Sequence, residues 1–88
     1  MGKNKQKNQQ LKKLTNKKNN GSAVILSCIR DCEKYIHTTI KNMQAIGEIF
    51  QEYSIFFYEN DSKDKTLSIL KEYAEYDEKI HYISTSML

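Results

Sequence analysis

The residues best suited to chemistry are a group of carboxylate and hydroxyl side chains that lie close together in sequence in the second half of the chain. The segment reads Glu59-Asn60-Asp61-Ser62-Lys63-Asp64-Lys65-Thr66. A carboxylate at the end of a buried strand can accept a hydrogen bond from the imide N–H of uracil or from the N–H groups of a guanine edge. Glu59 is therefore a candidate base-reading residue, with Ser62, Asp64 and Thr66 holding the loop. The alternative is that all of these residues only form turns and helix caps.

Other polar residues were considered as phosphate-binding or metal-binding groups. Arg30 is the only arginine in the chain, and its guanidinium fork suits the oxygens of a pyrophosphate, although a solvated surface arginine fits equally well. Glu59 and Asp61 have the spacing of a metal-binding Asp-x-Asp motif, but their position directly after a second strand argues against a metal site. His37 and His81 lie far apart without a ligand partner at metal-site spacing. We interpret both histidines as structural.

Three short segments have the composition of strands and must position these residues. They comprise residues 23–29, 53–58 and 80–83, which are rich in β-branched and aromatic side chains. The first two are continuous apolar runs, which favours strands covered on both faces, as in parallel sheets.

The segments between the strands have the periodicity of amphipathic helices. The first helix is predicted to start near Cys32 with Asp31 as its N-cap. Its apolar stripe comprises Ile36, Ile40, Met43, Ile46 or Gly47, and Phe50. For the second helix, Ser62 is the predicted N-cap, Asp64 lies in the predicted first turn, and the end is expected near Asp77. Its stripe comprises Leu67, Leu70, Tyr73 and Ala74.

This order of elements predicts an α/β fold with a Rossmann-like parallel sheet. Strand, helix, strand, helix and strand with short, right-handed connections give the strand order 3-2-1. Ligands of such sheets bind outside the carboxyl ends of the strands. The candidate positions are therefore residues 28–31, 59–64 and 84–86. The alternative architecture is a helical hairpin with a separate β-ribbon.

Residues 1–21 differ in composition from the rest of the chain. They hold seven lysines and no acidic residue, and they are otherwise mostly Asn and Gln. Too little apolar surface is available to offset the entropy of ordering, so a disordered basic tail is expected, followed by one folded domain over residues 22–88. Lysines attract nucleic acid by counterion release. Because this tail has no aromatic side chain to stack on a base, a solubilising role is favoured and nucleic acid is not expected.

The cellular setting is indicated by what the sequence contains. Cys28 and Cys32 are too few for a disulfide framework, and with no signal peptide they favour buried thiols in a reducing compartment. The longest apolar run is far shorter than the ~20 residues of a transmembrane helix. We therefore expect a cytoplasmic chain with no transmembrane segment.

The eight residues from Glu59 to Thr66 resemble the D-D-G-S-x-D-G-T signature that follows the second strand of GT-A nucleotide-sugar glycosyltransferases. The opening segment from Val24 to Ile36 is also similar to that of the family, so the resemblance covers residues 23–85. It implies that Glu59 contacts the base of a UDP- or GDP-linked sugar, while Ser62, Asp64 and Thr66 shape the turn into the helix. The segment departs from the signature where Glu59 replaces Asp, and where Asp61 and Lys65 stand in positions that many members fill with Gly.

The resemblance also implies transfer of a sugar from a nucleoside diphosphate, with Mn²⁺ or Mg²⁺ as the cofactor. The metal-binding D-x-D of the family lies beyond a fourth strand, outside this sequence. No catalytic residue and no metal ligand is therefore assigned, and activity of the 88 residues alone is not expected. A missing C-terminal half is a possible partner. The predicted nucleotide-binding residues are Cys28, Arg30, Glu59, Asp61, Ser62 and Asp64.

Two other functions are compatible with parts of the pattern. One is a non-enzymatic interaction module whose basic tail binds nucleic acid or an acidic partner. The other is a receiver-like or flavodoxin-like domain. A receiver needs an acidic cluster after the first strand and a flavodoxin needs a phosphate loop there, and Ser27-Cys28-Ile29 supplies neither.

Overall fold

A computed structural model describes residues 19–87, with side chains over residues 20–86. The elements in chain order are β1 (Asn19–Ile29), α1 (Ile36–Gly47), β2 (Phe50–Glu59), α2 (Thr66–Tyr76) and β3 (Ile80–Ser84), followed by a short 3-10 turn at Thr85–Met87. β1 therefore begins inside the segment predicted as tail. The rest of that tail, residues 1–18, lies outside the described residues.

The three strands form one parallel sheet in the order β1-β2-β3. This confirms the predicted α/β class and strand order. In register, Ile25 pairs with Ile55, which pairs with Ile80. At the carboxyl ends, Ile29 pairs with Glu59, and Glu59 pairs with Ser84. This last row of residues brings the ends of all three strands to one edge of the sheet.

Both helices pack on the same face of the sheet. Two right-handed crossovers in the same direction require this arrangement, and the burial pattern agrees, because alternate residues of β2 from Tyr53 to Glu59 are buried. The core comprises Ile29, Ile36, Ile40, Tyr53, Ile55, Phe57, Leu70 and Ile80. On the opposite face the same strands expose apolar side chains, so only one of the two faces expected to be covered is covered within residues 19–87.

Both helices begin later than the sequence predicted. α1 begins at Ile36, with Tyr35 at the N-cap position and no side-chain cap, so Asp31 is not its cap. α2 begins at Thr66, and Ser62 does not cap it. Asp64 precedes α2 rather than lying in its first turn. The reason is that the side chains of Asp31 and Ser62 form hydrogen bonds between the segment that follows β1 and the segment that follows β2.

α1 ends against a tyrosine ring. Gly47 is buried at the last position of the helix, and a Cβ atom built there would lie 2.3 Å from Tyr53 Cδ2. The ring is fixed from two further sides, because its hydroxyl donates to Glu48 Oε1 at 3.0 Å and Lys79 Nζ lies 4.1 Å from the ring centroid. Only glycine therefore allows this approach of α1 to β2.

Candidate functional site

Two loops leave the carboxyl ends of neighbouring parallel strands and run side by side. Loop 1 (residues 30–35) follows β1, and loop 2 (residues 60–65) follows β2. The main-chain pairing of the strands extends one residue into loop 2, where the Asn60 N–H donates to the Ile29 carbonyl at 2.9 Å. Because both strands end in the same row, side chains of each loop reach the main chain of the other.

Carboxylates of loop 1 accept hydrogen bonds from the main chain of loop 2. Asp31 Oδ1 accepts from Lys63 N at 2.6 Å, and Glu33 Oε1 accepts from Lys65 N at 2.9 Å. Both lysines contribute through their backbone, so the positive side chains are not needed for these contacts.

Side chains of loop 2 and of the first residue of α2 in turn accept hydrogen bonds from the main chain of loop 1. Ser62 Oγ accepts from Asp31 N at 3.0 Å, and Asp64 Oδ2 accepts from Glu33 N at 3.1 Å. Thr66 Oγ1 accepts from Cys32 N at 2.9 Å. We call these five side-chain to backbone bonds the interloop clamp. The clamp holds both loops in one fixed arrangement before any ligand binds, which is the property a binding site needs.

Asp64 also organises the start of α2. Its Oδ1 accepts from the Thr66 N–H at 2.9 Å and from the Thr66 hydroxyl at 2.5 Å. The hydrogen bond from the Thr66 hydroxyl, together with those from the N–H groups of Thr66 and Glu33, keeps the pKa of Asp64 below its usual value. The carboxylate is therefore ionised near neutral pH and satisfies an otherwise unpaired N–H at the helix start.

Both loops contain one aspartate in the left-handed region of the backbone. Asp31 has φ 46° and Asp61 has φ 49°. This region favours glycine, although Asp and Asn tolerate it better than other residues. Asp61 is one of the two positions where the resembling signature has glycine, so its backbone retains the geometry of that turn. Lys65, the other such position, has φ −82° and needs no glycine.

Glu59 lies beneath loop 2 and is fully buried. Its Oε2 accepts from Ser62 N and its Oε1 accepts from Ser84 Oγ, each at 2.5 Å. Burial raises the pKa of this carboxyl, but the hydrogen bonds from Ser62, Ser84 and the Asp61 N–H outweigh burial and leave the pKa below its ordinary value. Glu59 is therefore an ionised carboxylate that links β2, loop 2 and β3.

The structure brings together three of the six predicted nucleotide-binding residues. Ser62 N donates to Glu59, and the side chains of Ser62 and Asp64 both take part in the interloop clamp. The other three are Cys28, Arg30 and Asp61. Arg30 is exposed, with Nε 3.7 Å from Asp31 Oδ2, and the exposed Asp61 accepts from Lys63 Nζ at 3.1 Å. Cys28 is exposed on the face of the sheet opposite to Glu59.

Sequence reasoning missed the roles of Asp31 and Glu33. A regular spacing could have indicated these roles. Asp31 and Glu33 are carboxylates two residues apart, and Ser62, Asp64 and Thr66 place a hydrogen-bond acceptor on every second residue. Two extended segments with that spacing can exchange side-chain to backbone bonds when they run side by side. The partnership was not visible because it joins residues about 30 positions apart.

The cysteines and histidines make no cluster with these carboxylates. Cys32 is half-buried, and burial raises the pKa of its thiol, which disfavours a nucleophilic role. His37 Nδ1 lies 2.8 Å from the Tyr73 hydroxyl between α1 and α2. His81 stacks on Phe56, with 4.7 Å between ring centroids.

A divalent metal does not fit the described residues. Within residues 19–87, no three His, Cys, Asp or Glu side chains come together as a metal site requires. Glu59 and Asp61 do not act as a pair, because Glu59 is buried against Ser84 while Asp61 is exposed beside Lys63. We therefore derive no metal-dependent step for these residues.

Comparison with known protein families gives a match to the model described as glycosyl transferase family 2, over residues 22–86. The chain belongs to glycosyl transferase family 2. The matched range includes β1 from Ser22 onward, the other four elements of the fold, both loops of the clamp and Glu59. Comparison of this glycosyltransferase-family chain with curated proteins and with solved structures finds no match. No helix within the described part of the chain is long and apolar enough to cross a membrane.

Proposed function

We propose that this chain is the nucleotide-sugar-binding part of a glycosyltransferase, with the nucleoside diphosphate at the carboxyl ends of β1 and β2. The family match supports the class of ligand. The observation that carries the location is the interloop clamp, which fixes two loops at the edge of a parallel sheet where such sheets bind nucleotides. Ser62 and Asp64 support the ligand by holding loop 2 in place.

Glu59 is the proposed reader of the base. Its carboxylate has about four lone-pair positions, of which Ser62 N, Ser84 Oγ and the Asp61 N–H use three. The side chain is fully buried, so contact with a base requires local opening of the hydrogen bond from Ser62 N, while the interloop clamp keeps the rest of loop 2 in place. An ionised acceptor in this position favours uracil or guanine, which present N–H groups, over adenine. The proposed donors are therefore UDP- or GDP-linked sugars.

The remaining predicted residues border the same edge. Arg30 is exposed at the start of loop 1 and is the proposed contact for the diphosphate, where a guanidinium fork is favourable. Asp61 lies at the start of loop 2 and Cys28 near the end of β1. We propose that these two line the rim of the site rather than carry its affinity.

The complete reaction would transfer the sugar from the nucleoside diphosphate to an acceptor. The metal that the family resemblance implies, the acceptor site and any general base are assigned to no described residue. We propose that a further half of the protein supplies them, and that residues 22–86 act as the donor-binding part. The proposed location is the cytoplasm, on the sequence grounds given above.

Titration of the full chain with UDP, GDP and ADP tests the proposal. We expect measurable binding of UDP or GDP and weaker binding of ADP. Replacing Glu59 by Gln, which is nearly isosteric, should remove this preference at a cost of about 1–3 kcal/mol in binding free energy. Ser84→Ala is the matched control, because it removes the internal partner of Glu59 and leaves the carboxylate in place, so it should keep the preference.

Equal affinity for the three diphosphates would contradict the role of Glu59. Loss of the preference in Ser84→Ala but not in Glu59→Gln would show that the geometry of the loop, and not the carboxylate, selects the base. Far-UV circular dichroism of each variant confirms that the fold is intact before binding is compared.

A further inference from the structure

Two serine hydroxyls lead from the buried Glu59 to the surface at the carboxyl end of β3, and we call Ser84 and Ser86 the serine pair. Ser84 Oγ donates to Glu59 Oε1 at 2.5 Å, and Ser86 Oγ lies 2.7 Å from Ser84 Oγ. Ser86 belongs to the 3-10 turn after β3 and is exposed, whereas Glu59 and Ser84 are fully buried. Ser86 is therefore the member of this set that a ligand can reach from solvent.

Glu59 determines which way the protons of the serine pair point. Hydrogen bonds from Ser62 N, Ser84 Oγ and the Asp61 N–H keep the pKa of Glu59 below its ordinary value, and an ionised carboxylate can only accept. The one hydroxyl proton of Ser84 is therefore donated to Glu59. Between the two serines, Ser86 must then be the donor and Ser84 the acceptor. Ser84 Oγ also accepts from Ser86 N at 3.2 Å, which uses its second lone pair.

The consequence is an exposed hydroxyl that offers acceptor positions only. The proton of Ser86 is used within the serine pair, and no hydrogen bond in the described part of the chain uses its lone pairs. Hydrogen bonds in series polarise one another, so the ionised carboxylate makes Ser86 Oγ a better acceptor. The two links place Ser86 Oγ within about 5 Å of Glu59 Oε1, which the edge of one base can span.

The groups around Glu59 have a defined order from loop 2 to β3. Ser62 N lies on the Oε2 side of the carboxylate, and the serine pair lies on the Oε1 side. When the bond from Ser62 N opens to admit a base, the order is one N–H donor, the acceptor positions of the carboxylate and the acceptor Ser86 Oγ. Five other N–H groups of this edge are already used by the interloop clamp, those of Asp31, Cys32, Glu33, Lys63 and Lys65.

Guanine carries the complementary order on its Watson–Crick edge. It presents the O6 carbonyl, then the N1–H and then the two N–H groups of its exocyclic amino group. Uracil presents one N–H between two carbonyl oxygens, so its second carbonyl would face the lone pairs of Ser86 without a donor. Two acceptors in contact leave both unsatisfied, which costs binding free energy. The order of groups therefore favours guanine over uracil.

We infer that Ser86 is a specificity residue that accepts a hydrogen bond from the exocyclic amino group of guanine, so that the sugar donor is GDP-linked. The inference rests on the proposed function, because it takes the base to bind at Glu59. It goes further than that function, which allows both UDP- and GDP-linked donors. The added selection comes from the end of β3, whereas the carboxylate of β2 only selects against adenine.

Titration of the ¹⁵N-labelled full chain with GDP, inosine diphosphate (IDP) and UDP, followed through backbone amide shifts, tests the inference. The base of IDP is guanine without the exocyclic amino group. That amino group would donate once to the ionised Glu59 and once to Ser86. We therefore expect GDP to bind roughly tenfold more tightly than IDP, and also more tightly than UDP.

Variants of Ser86 separate its role from that of Glu59. Ser86→Ala should lower the affinity for GDP about 3- to 10-fold and change the affinity for IDP less than about twofold, because IDP has no amino group to lose a partner. Ser86→Thr keeps a hydroxyl and should keep the ratio of the two affinities. Ser68→Ala is the matched control, because it removes another exposed serine hydroxyl, which bonds to the Lys65 carbonyl, and it should change neither affinity.

The possible outcomes distinguish this inference from the proposed function. Equal affinity for GDP and IDP, a GDP-to-IDP ratio that Ser86→Ala leaves unchanged, or tighter binding of UDP than of GDP would each overturn the role of Ser86. The proposed function would still stand in these cases if the bound nucleotide shifts the amides of loop 1 and loop 2. Absence of binding by all three nucleotides would overturn both.

Discussion

The buried hydrogen bond from Ser84 to Glu59 allows a direct test of whether Glu59 is an ionised carboxylate that links β2 to β3. Ser84→Ala removes the hydroxyl that donates to Glu59 Oε1 at 2.5 Å and leaves a fully buried, ionised carboxylate with one fewer donor. Hydrogen bonds to charged groups contribute about 1.5–3 kcal/mol to stability. We expect Ser84→Ala to lower the free energy of unfolding by roughly this amount, a large share for a domain of this size.

A double-mutant cycle isolates the bond from other effects of the substitution. Ser84→Ala, Glu59→Gln and the double variant are unfolded in urea and followed by far-UV circular dichroism, since the chain has no tryptophan. In Glu59→Gln the amide oxygen can still accept from Ser62 N while the amide nitrogen faces Ser84 Oγ, so the cost should be smaller than that of a truncation. We expect a coupling energy of about 1–2 kcal/mol between the two positions.

The pH dependence of the free energy of unfolding of the same variants shows whether the ionised carboxylate of Glu59 stabilises the fold. The pKa of Glu59 is lowered in the folded chain, so its stabilising contribution is present above the unfolded pKa of about 4.3 and is lost as pH falls through the folded pKa. Glu59→Gln should therefore flatten the acid limb of the stability curve. A coupling energy near zero, with an unchanged acid limb, would refute the assignment of Glu59 as an ionised link between β2 and β3.

Further predictions concern the core and the clamp. Gly47→Ala should destabilise the fold by about 1–3 kcal/mol, measured by urea unfolding, because the new methyl group would overlap the Tyr53 ring. Burial and the hydrogen bond to Glu48 raise the pKa of Tyr53 to about 12, so stability should fall as pH rises from about 10 toward 12, and Tyr53→Phe should reduce that loss. Asp31→Ala removes the acceptor for Lys63 N, and amide hydrogen exchange should accelerate in loop 2 while the strands stay protected.

The fold was largely predictable because its elements are encoded locally. The stripe of α1, including Ile36 and Ile40, has the period of a helix, and the apolar runs of β1 and β2 have the length and the β-branched and aromatic content of buried strands. A helix between each pair of successive strands then indicates a parallel sheet. The helix starts were wrong because Asp31 and Ser62 have the residue types of N-caps. Their side chains are instead used by the opposite loop, which no local pattern can show.

The candidate site was predictable only in part. Its expected position at the ends of β1 and β2 followed from topology, and the resemblance pointed to the segment from Glu59 to Thr66. The burial of Glu59 beneath loop 2 and its bond to Ser84 depend on the register of three strands. The exposure of Phe56 and Tyr58 was not predictable for a related reason. A continuous apolar strand predicts two covered faces, and the helices of residues 19–87 cover only one.

We propose that the carboxyl ends of β1 and β2 bind a nucleoside diphosphate sugar. The most direct measurement is a map of backbone amide chemical shifts of the ¹⁵N-labelled chain during titration with UDP, with ADP as the comparison. We predict that UDP shifts the amides of loop 1, loop 2 and residues 84–86 more strongly than ADP does, and that the amides of His37 and Tyr73, at the contact of α1 with α2, stay unchanged. Shifts confined to other parts of the chain, or equal shifts with both nucleotides, would contradict it.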